Sequence, residues 1–292
     1  MAKNSEKFID VEGIKTRYFD KGQGETLVLF HGGNFGSNDA VDCADDWALN
    51  VEGLARWFHV YAVDKLGQGY TDNPKTDDDY TMAAVVRHAY GFLRAAGLKN
   101  VHIAGHSRGG YLVTRLTLEH PDLVKSCIIV DSGTLAPGPS KTPLVMAGAP
   151  EPRLSKESQR WVFEKYSFGT EHITEEWLDG ATRIAMLPKY QESVRKMEQE
   201  GLKRSRFLPQ LAIEKEQTLG WIQDGRLKTP TLVVWSYNDP TAPIQRGHAL
   251  FELIAASAPQ AQMHIFTRSG HFCYREHPQE FNELIRGFVQ SL

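Results

Sequence analysis

The sequence predicts an α/β protein: a mostly parallel central sheet with helices on both faces, interrupted once by a helical insertion. Three observations predict it. Short apolar runs alternate with segments of helical periodicity through residues 25–130, the pattern of parallel strands joined by crossover helices. The alternation stops near Gly133 and resumes at Pro230. Between the apolar run Val101–Ala104 and the amphipathic run Tyr111–Glu119 lies Gly105-His106-Ser107-Arg108-Gly109, a Gly-x-Ser-x-Gly turn in a strand–turn–helix setting.

The elements follow in order. Lys7–Val11 and Ile14–Tyr18 alternate about Glu12-Gly13 and read as a hairpin. Thr26–Phe30 is a compact apolar strand running into His31-Gly32-Gly33, and the loop beyond Gly36 is long, through Ser37–Asp46. Phe58–Val63 is a strand closed by Asp64. Thr81–Ala96 has helical periodicity and stops at Gly97. Ser126–Val130 is the strand after the elbow helix. Residues 133–227 then carry no convincing strand; the stretch opens on Pro137-Gly138-Pro139 and turns charged and helical from about Glu157 to Glu216. Pro230–Tyr237 (strand), His248–Ala256 (helix), Gln262–Phe266 (strand) and Gln279–Val289 (helix) restore the rhythm. The expected organisation is a core domain of residues 1–135 and 228–292 with a helical cap, residues 136–227, inserted between its halves.

Composition excludes several function classes. With 292 residues, 41% hydrophobic and 24% charged, the chain can bury a large core. Its net charge of -3 and the lack of a dense Lys/Arg run argue against a nucleic-acid partner. Cys43, Cys127 and Cys273 are few, odd in number and widely spaced, so neither a disulfide framework nor a cysteine zinc site is indicated. No stretch is long and apolar enough to span a membrane, and Met1–Lys7 has no apolar signal core. The expectation is a cytoplasmic protein that acts on a small molecule without metal or cofactor.

The elbow carries the chemistry. A serine hydroxyl is a weak nucleophile at neutral pH; it needs a base, and the base needs a carboxylate to fix its tautomer and stabilise its charged form. Asp239 follows the strand ending at Tyr237, and His271 follows the strand ending at Phe266. Both fall beyond the carboxyl ends of strands, where an open α/β sheet binds its ligand. Ser107, Asp239 and His271 are therefore the candidate catalytic residues. Asp131, after Ser126–Val130, is the rival acid. His264, inside a strand, reads as structural. The glycines of His31-Gly32-Gly33-Asn34-Phe35-Gly36 let backbone N–H groups approach a ligand. Gly33 N–H and Arg108 N–H are the expected oxyanion donors, with Asn34 as a helper. A phosphate-loop reading fails because no Gly-Lys-Ser/Thr follows. His106 should turn away from the nucleophile and line the pocket, and Phe35 is a substrate-contact candidate. Trp161, Phe163, Tyr166, Phe168 and Trp177 fall in the insertion and serve either its own packing or the pocket roof.

With these landmarks in place, the chain resembles the α/β-hydrolase superfamily from about residue 8 to its end. Within it, the chain looks most like the meta-cleavage-product hydrolases, which cut a carbon–carbon bond in 2-hydroxy-6-oxo-hexa-2,4-dienoates made by ring-cleaving dioxygenases of aromatic catabolism. The pointers are Thr71-Asp72-Asn73-Pro74, Ile129-Val130-Asp131-Ser132-Gly133, Ile173–Gly180 and Glu276–Asn282. The resemblance implies an α/β-hydrolase fold, the order nucleophile, acid, base, and a substrate-binding cap arginine, for which Arg183 is the nearest candidate. It differs at His106, where members carry Asn, and at Phe272, where members often carry Trp beside the catalytic His. It allows a homodimer, and it leaves a carboxylesterase or lactonase, or a ligand receptor on this fold, as alternatives. A dehalogenase or epoxide hydrolase would need an acid where Ser107 stands.

Overall fold

The structure, a computed structural model, describes residues 6–292; the first five residues of the amino-terminal stretch lie outside it. Eight strands form one sheet in the order β1-β2-β4-β3-β5-β6-β7-β8. They are β1 (Glu6–Val11), β2 (Ile14–Lys21), β3 (Glu25–Phe30), β4 (Phe58–Val63), β5 (Val101–His106), β6 (Val124–Val130), β7 (Thr231–Ser236) and β8 (Ala261–Phe266). The hairpin β1-β2 and the pair β2-β4 are antiparallel; every pairing from β4 to β8 is parallel. All residues of β5 and β7 are buried, because helices cover both faces there.

The helices of the first half are α1 (Ala48–Leu54), α2 (Met82–Ala95) and α3 (Arg108–Glu119). Thr81 caps α2, its side chain accepting the Ala84 N–H. The short helix α1 follows the long loop and is not among the elements the sequence predicts; its Asn50 side chain donates to the Tyr274 carbonyl at 2.9 Å and to Asn282 Oδ1 at 3.1 Å, a dependence on distant residues that no local periodicity reveals.

Between β6 and β7 the described chain is helical: α4 (Thr142–Val145), α5 (Lys156–Tyr166), α6 (Glu175–Ala185), α7 (Pro188–Val194) and α8 (Leu208–Gln223), with π-helical turns at Arg195–Gln199 and Lys203–Phe207. Ser155 and Thr174 cap α5 and α6. This stretch is fastened to the loop after β3. Trp177 Nε1 donates to Asp46 Oδ1 at 2.9 Å, the Tyr190 hydroxyl to the Ser37 carbonyl at 2.8 Å, and the Val41 N–H to Gln159 Oε1 at 3.1 Å. The second half of the core adds α9 (Ile244–Ala255), α10 (Cys273–Glu276) and α11 (Pro278–Gln290).

Close approach at the centre of the sheet is set by two glycines. A Cβ on Gly105 would lie 2.1 Å from the Gly109 carbonyl oxygen, and one on Gly109 would lie 2.4 Å from the Phe30 carbonyl oxygen. Backbone cannot yield there as a side-chain tip would. Gly105→Ala should therefore cost about 3 kcal/mol or more in urea unfolding. By contrast, a Cβ added to Gly220 inside α8 would meet nothing within 4 Å, so Gly220→Ala should stabilise by about 0.5–1 kcal/mol. An unchanged midpoint for Gly105→Ala would contradict this account of the elbow.

Candidate active site

Ser107 sits between β5 and α3 with φ 54° and ψ -116°, a conformation a serine rarely adopts. Four hydrogen bonds over-determine it. Its N–H donates to the Val130 carbonyl at 2.8 Å, and its carbonyl accepts from Gly110 N–H at 3.0 Å, Tyr111 N–H at 3.4 Å and Ser132 Oγ at 2.6 Å. The side chain is left facing a cavity of about 560 Å³, which His271 also lines.

His271 Nδ1 is hydrogen-bonded to Asp239 Oδ2 at 2.6 Å. The other oxygen of Asp239 accepts from Thr241 N–H at 2.7 Å, Thr241 Oγ1 at 2.8 Å and Ala242 N–H at 3.0 Å. That set locks the carboxylate, and the carboxylate locks the ring with Nδ1 protonated and Nε2 free to take a proton. Burial works against the charged imidazolium, but the Asp239 charge and hydrogen bond outweigh it, and the His271 pKa lies above its ordinary 6.5. The backbone is pinned as well: His271 N–H donates to the Tyr166 carbonyl at 2.6 Å. A Cβ on Gly270 would stand 2.3 Å from that same oxygen, so the approach of the two segments depends on a glycine.

Asp131 has a different place. Its carboxyl accepts from Ser236 N–H at 2.6 Å and Ser236 Oγ at 2.8 Å, and makes no hydrogen bond to His271. Burial first, and then the charge of Asp239, push its pKa up to about 8.

The loop after β3 lies over the elbow. Gly33, Asn34 and Arg108 line the cavity, and neither Gly33 N–H nor Arg108 N–H has an acceptor among the described residues. Lys65 Nζ, wholly buried, donates to the Gly33 carbonyl at 2.9 Å; burial pushes its pKa down to about 7. Asp42 crowds the same glycine: a Cβ on Gly33 would lie 2.2 Å from its Oδ2.

Of the expected substrate contacts, Asn34 and Phe272 line the cavity, while Phe35, His106 and Arg183 do not. Phe35 is fully buried and packs edge-on against Tyr80 and Phe207, at 5.0 and 5.6 Å between centroids. His106 points behind the base, where its Nε2 donates to the His271 carbonyl at 2.7 Å. Arg183 is exposed on the outer face of α6, whose buried face carries Trp177, Leu178, Ala181 and Ile184 instead. The sequence reading missed Asp42, Lys65 and Arg246. Arg246 clamps the chain as it leaves the sheet, donating to the carbonyls of Gly133, Ala136, Pro137 and Gly138. The length of the 37–46 loop was the one sequence signal for Asp42. Of the insertion's aromatics, Tyr166 lines the cavity, Phe163 and Trp177 stack at 4.1 Å beneath it, and Phe168 is exposed.

Residues 25–278 match the family described as alpha/beta hydrolase fold. The chain belongs to that family, and it is a hydrolase. Among its curated relatives, the 2-hydroxymuconate semialdehyde hydrolase of Pseudomonas sp. (strain CF600) is 28% identical over 278 residues, covering 95% of this chain and 91% of that one. The 2-hydroxy-6-oxo-6-phenylhexa-2,4-dienoate hydrolase of Burkholderia cepacia is 28% identical over 284 residues, covering 93% and 90%. The solved meta-cleavage product hydrolase of Pseudomonas fluorescens IP01 superposes with a TM-score of 0.79 at 24% identity, covering 98% of this chain and 97% of that one, a likeness of fold.

The pH dependence follows from the ion pair. A base must be neutral to act, so kcat/KM for an aryl ester should fall as pH drops through the raised His271 pKa, with its midpoint above 6.5. Asp239→Asn removes the charge that raises it: the limb should move to lower pH and the rate fall roughly ten-thousandfold. Asp131→Asn should stay within a few-fold of the parent. Rate loss at Asp131 in place of Asp239 would reverse the assignment.

Proposed function

We propose that Ser107, His271 and Asp239 act as a nucleophile–base–acid triad that hydrolyses a carbon–carbon bond of a 2-hydroxy-6-oxo-hexa-2,4-dienoate, a ring-cleavage product of aromatic compounds. The supporting observation is the His271–Asp239 pair, held at 2.6 Å, whose His271 lines one cavity with Ser107. The choice of bond rests on relatives named as hydrolases of such dienoates, which run over nine-tenths of this chain.

In this reading the dienol is first converted to its keto form, with His271 supplying or accepting the proton at carbon. Ser107 Oγ then adds to the 6-oxo carbon as His271 takes its proton. Negative charge collects on the former carbonyl oxygen, and Gly33 N–H and Arg108 N–H donate to it, an interaction whose loss typically costs about a hundredfold or more. Cleavage of the adjacent carbon–carbon bond leaves the acyl group on Ser107 and returns a proton to the departing dienolate. Water, deprotonated by His271, releases the acid. The cap, taken as residues 136–227, closes the cavity over these steps, and the substrate is a small molecule handled without metal or cofactor.

A carboxylesterase or lactonase is the second reading. It is favoured by one observation: Arg183 stays outside the cavity.

The deciding assay follows the visible colour of 2-hydroxy-6-oxo-6-phenylhexa-2,4-dienoate. Rapid bleaching by the protein, lost in Ser107→Ala, is expected, with slower turnover of 4-nitrophenyl butyrate. Brisk ester hydrolysis with no bleaching would replace the carbon–carbon reading by the esterase.

A further inference from the structure

Four basic side chains line the cavity beside Ser107: Arg108, Lys203, Lys215 and Arg246. Three of them are committed within the protein. Lys203 Nζ is paired with Glu198 Oε1 at 2.5 Å. Lys215 Nζ donates to the Ala136 carbonyl at 2.6 Å. Arg246 is spread over four carbonyls through Nε and Nη2, and its Nη1, without a partner among the described residues, is sealed from solvent.

Arg108 differs. Its only side-chain hydrogen bond among the described residues runs from Nη1 to Asn34 Oδ1. Its guanidinium lies 5.1 Å over the Phe207 ring, which fixes the plane without neutralising the charge. No carboxylate is paired with it there. None of its nitrogens is sealed, so the unused part of a five-donor fork faces the cavity. The acids nearest in charge are otherwise placed: Asp39 is bridged to Arg153 at 3.3 Å, and Asp42 is pressed against the Gly32–Gly33 peptide, where burial pushes its carboxyl up toward the neutral form. A guanidinium held in this way, largely removed from water, gains most from a partner that brings its own negative charge.

We propose that the Arg108 guanidinium binds a carboxylate of the substrate and selects molecules that carry one a short chain away from the carbonyl attacked at Ser107. One residue then serves twice, with its N–H on the developing oxyanion and its fork on the substrate's anionic end. This is the part the exposed Arg183 does not fill. The proposal rests on the carbon–carbon reading only in equating that carboxylate with the dienoate's own; selection for an anion holds whichever bond is cut.

The test uses two esters with the same three-carbon chain beyond the acyl carbon, neutral 4-nitrophenyl butyrate and anionic mono-4-nitrophenyl glutarate, which adds a terminal carboxylate, with the phenyl dienoate run alongside. Arg108→Gln should raise KM for the glutarate tenfold or more while the butyrate loses far less in kcat/KM. Arg108→Lys should restore part of the difference, since it keeps the charge and loses the fork. Equal losses on the two esters, or none on either, would overturn the proposal. A split between the esters without any dienoate bleaching would sink the carbon–carbon reading and support Arg108. Bleaching that Arg108→Gln leaves intact would do the reverse. Should Arg108→Gln fail to fold, the parent protein decides: hexanoate should inhibit butyrate-ester hydrolysis competitively and at least tenfold better than hexanamide, and equal inhibition would overturn the assignment.

Discussion

The backbone at Ser107 is the constraint around which the site is arranged. A serine at φ 54° stores on the order of 1–3 kcal/mol and persists only where its surroundings permit nothing else. Here they come from both neighbouring strands and from the helix that follows. The Val130 carbonyl takes the serine N–H from β6, and Ser132 donates to its carbonyl from just beyond that strand. The Gly109 Cα lies so close to the end of β3 that no larger residue fits. The consequence is positional: a hydroxyl held above the carboxyl ends of the strands, where the turns after β7 and β8 deliver Asp239 and His271. Those two sit 32 residues apart in the chain yet share a 2.6 Å hydrogen bond, because parallel pairing of β7 with β8 brings their ends side by side.

This part of the protein is legible in the sequence because its signals are local. A strand buried on both faces is an unbroken apolar run, and the elbow is spelled by adjacent residues. The rest is set by contacts across the fold. Phe35 follows a glycine loop and could have faced either way; Tyr80 and Phe207 supply an aromatic nest that turns it inward. His106 alternates away from the cavity along β5 and ends beneath the base. Arg183 has the spacing of a buried position only if α6 is rotated, and Trp177 and Leu178 fix the rotation otherwise. Asp42 carries no motif, and Lys65 stands in Asp64-Lys65-Leu66-Gly67-Gln68-Gly69, which marks a turn and no role for the lysine. Both lie against Gly33, Lys65 from just beyond the end of β4 and Asp42 from the long loop after β3, an arrangement only the assembled sheet makes visible.

Those two residues show how the site tolerates charge. Lys65 is wholly enclosed, and its ammonium has the Gly33 carbonyl as its hydrogen-bonding partner. Asp42 is the acid whose charge most supports it, since burial pushes the lysine down and Asp42 pulls it back. With the Gly33 carbonyl accepting from Lys65 and the Asp42 carboxyl close against the same glycine, the loop's peptides are held in a fixed attitude, at the cost of removing both groups from water. Preorganisation of this kind precedes any ligand and needs no rearrangement when charge develops nearby.

The bond from His271 N–H to the Tyr166 carbonyl has a mechanical consequence. Tyr166 closes α5, so the helical insertion is tied to the backbone of His271 itself as well as to the rim of the sheet. A hinge that lifted α5 would drag the histidine out of line with Asp239. The insertion at α5 thus bears directly on the posture of His271.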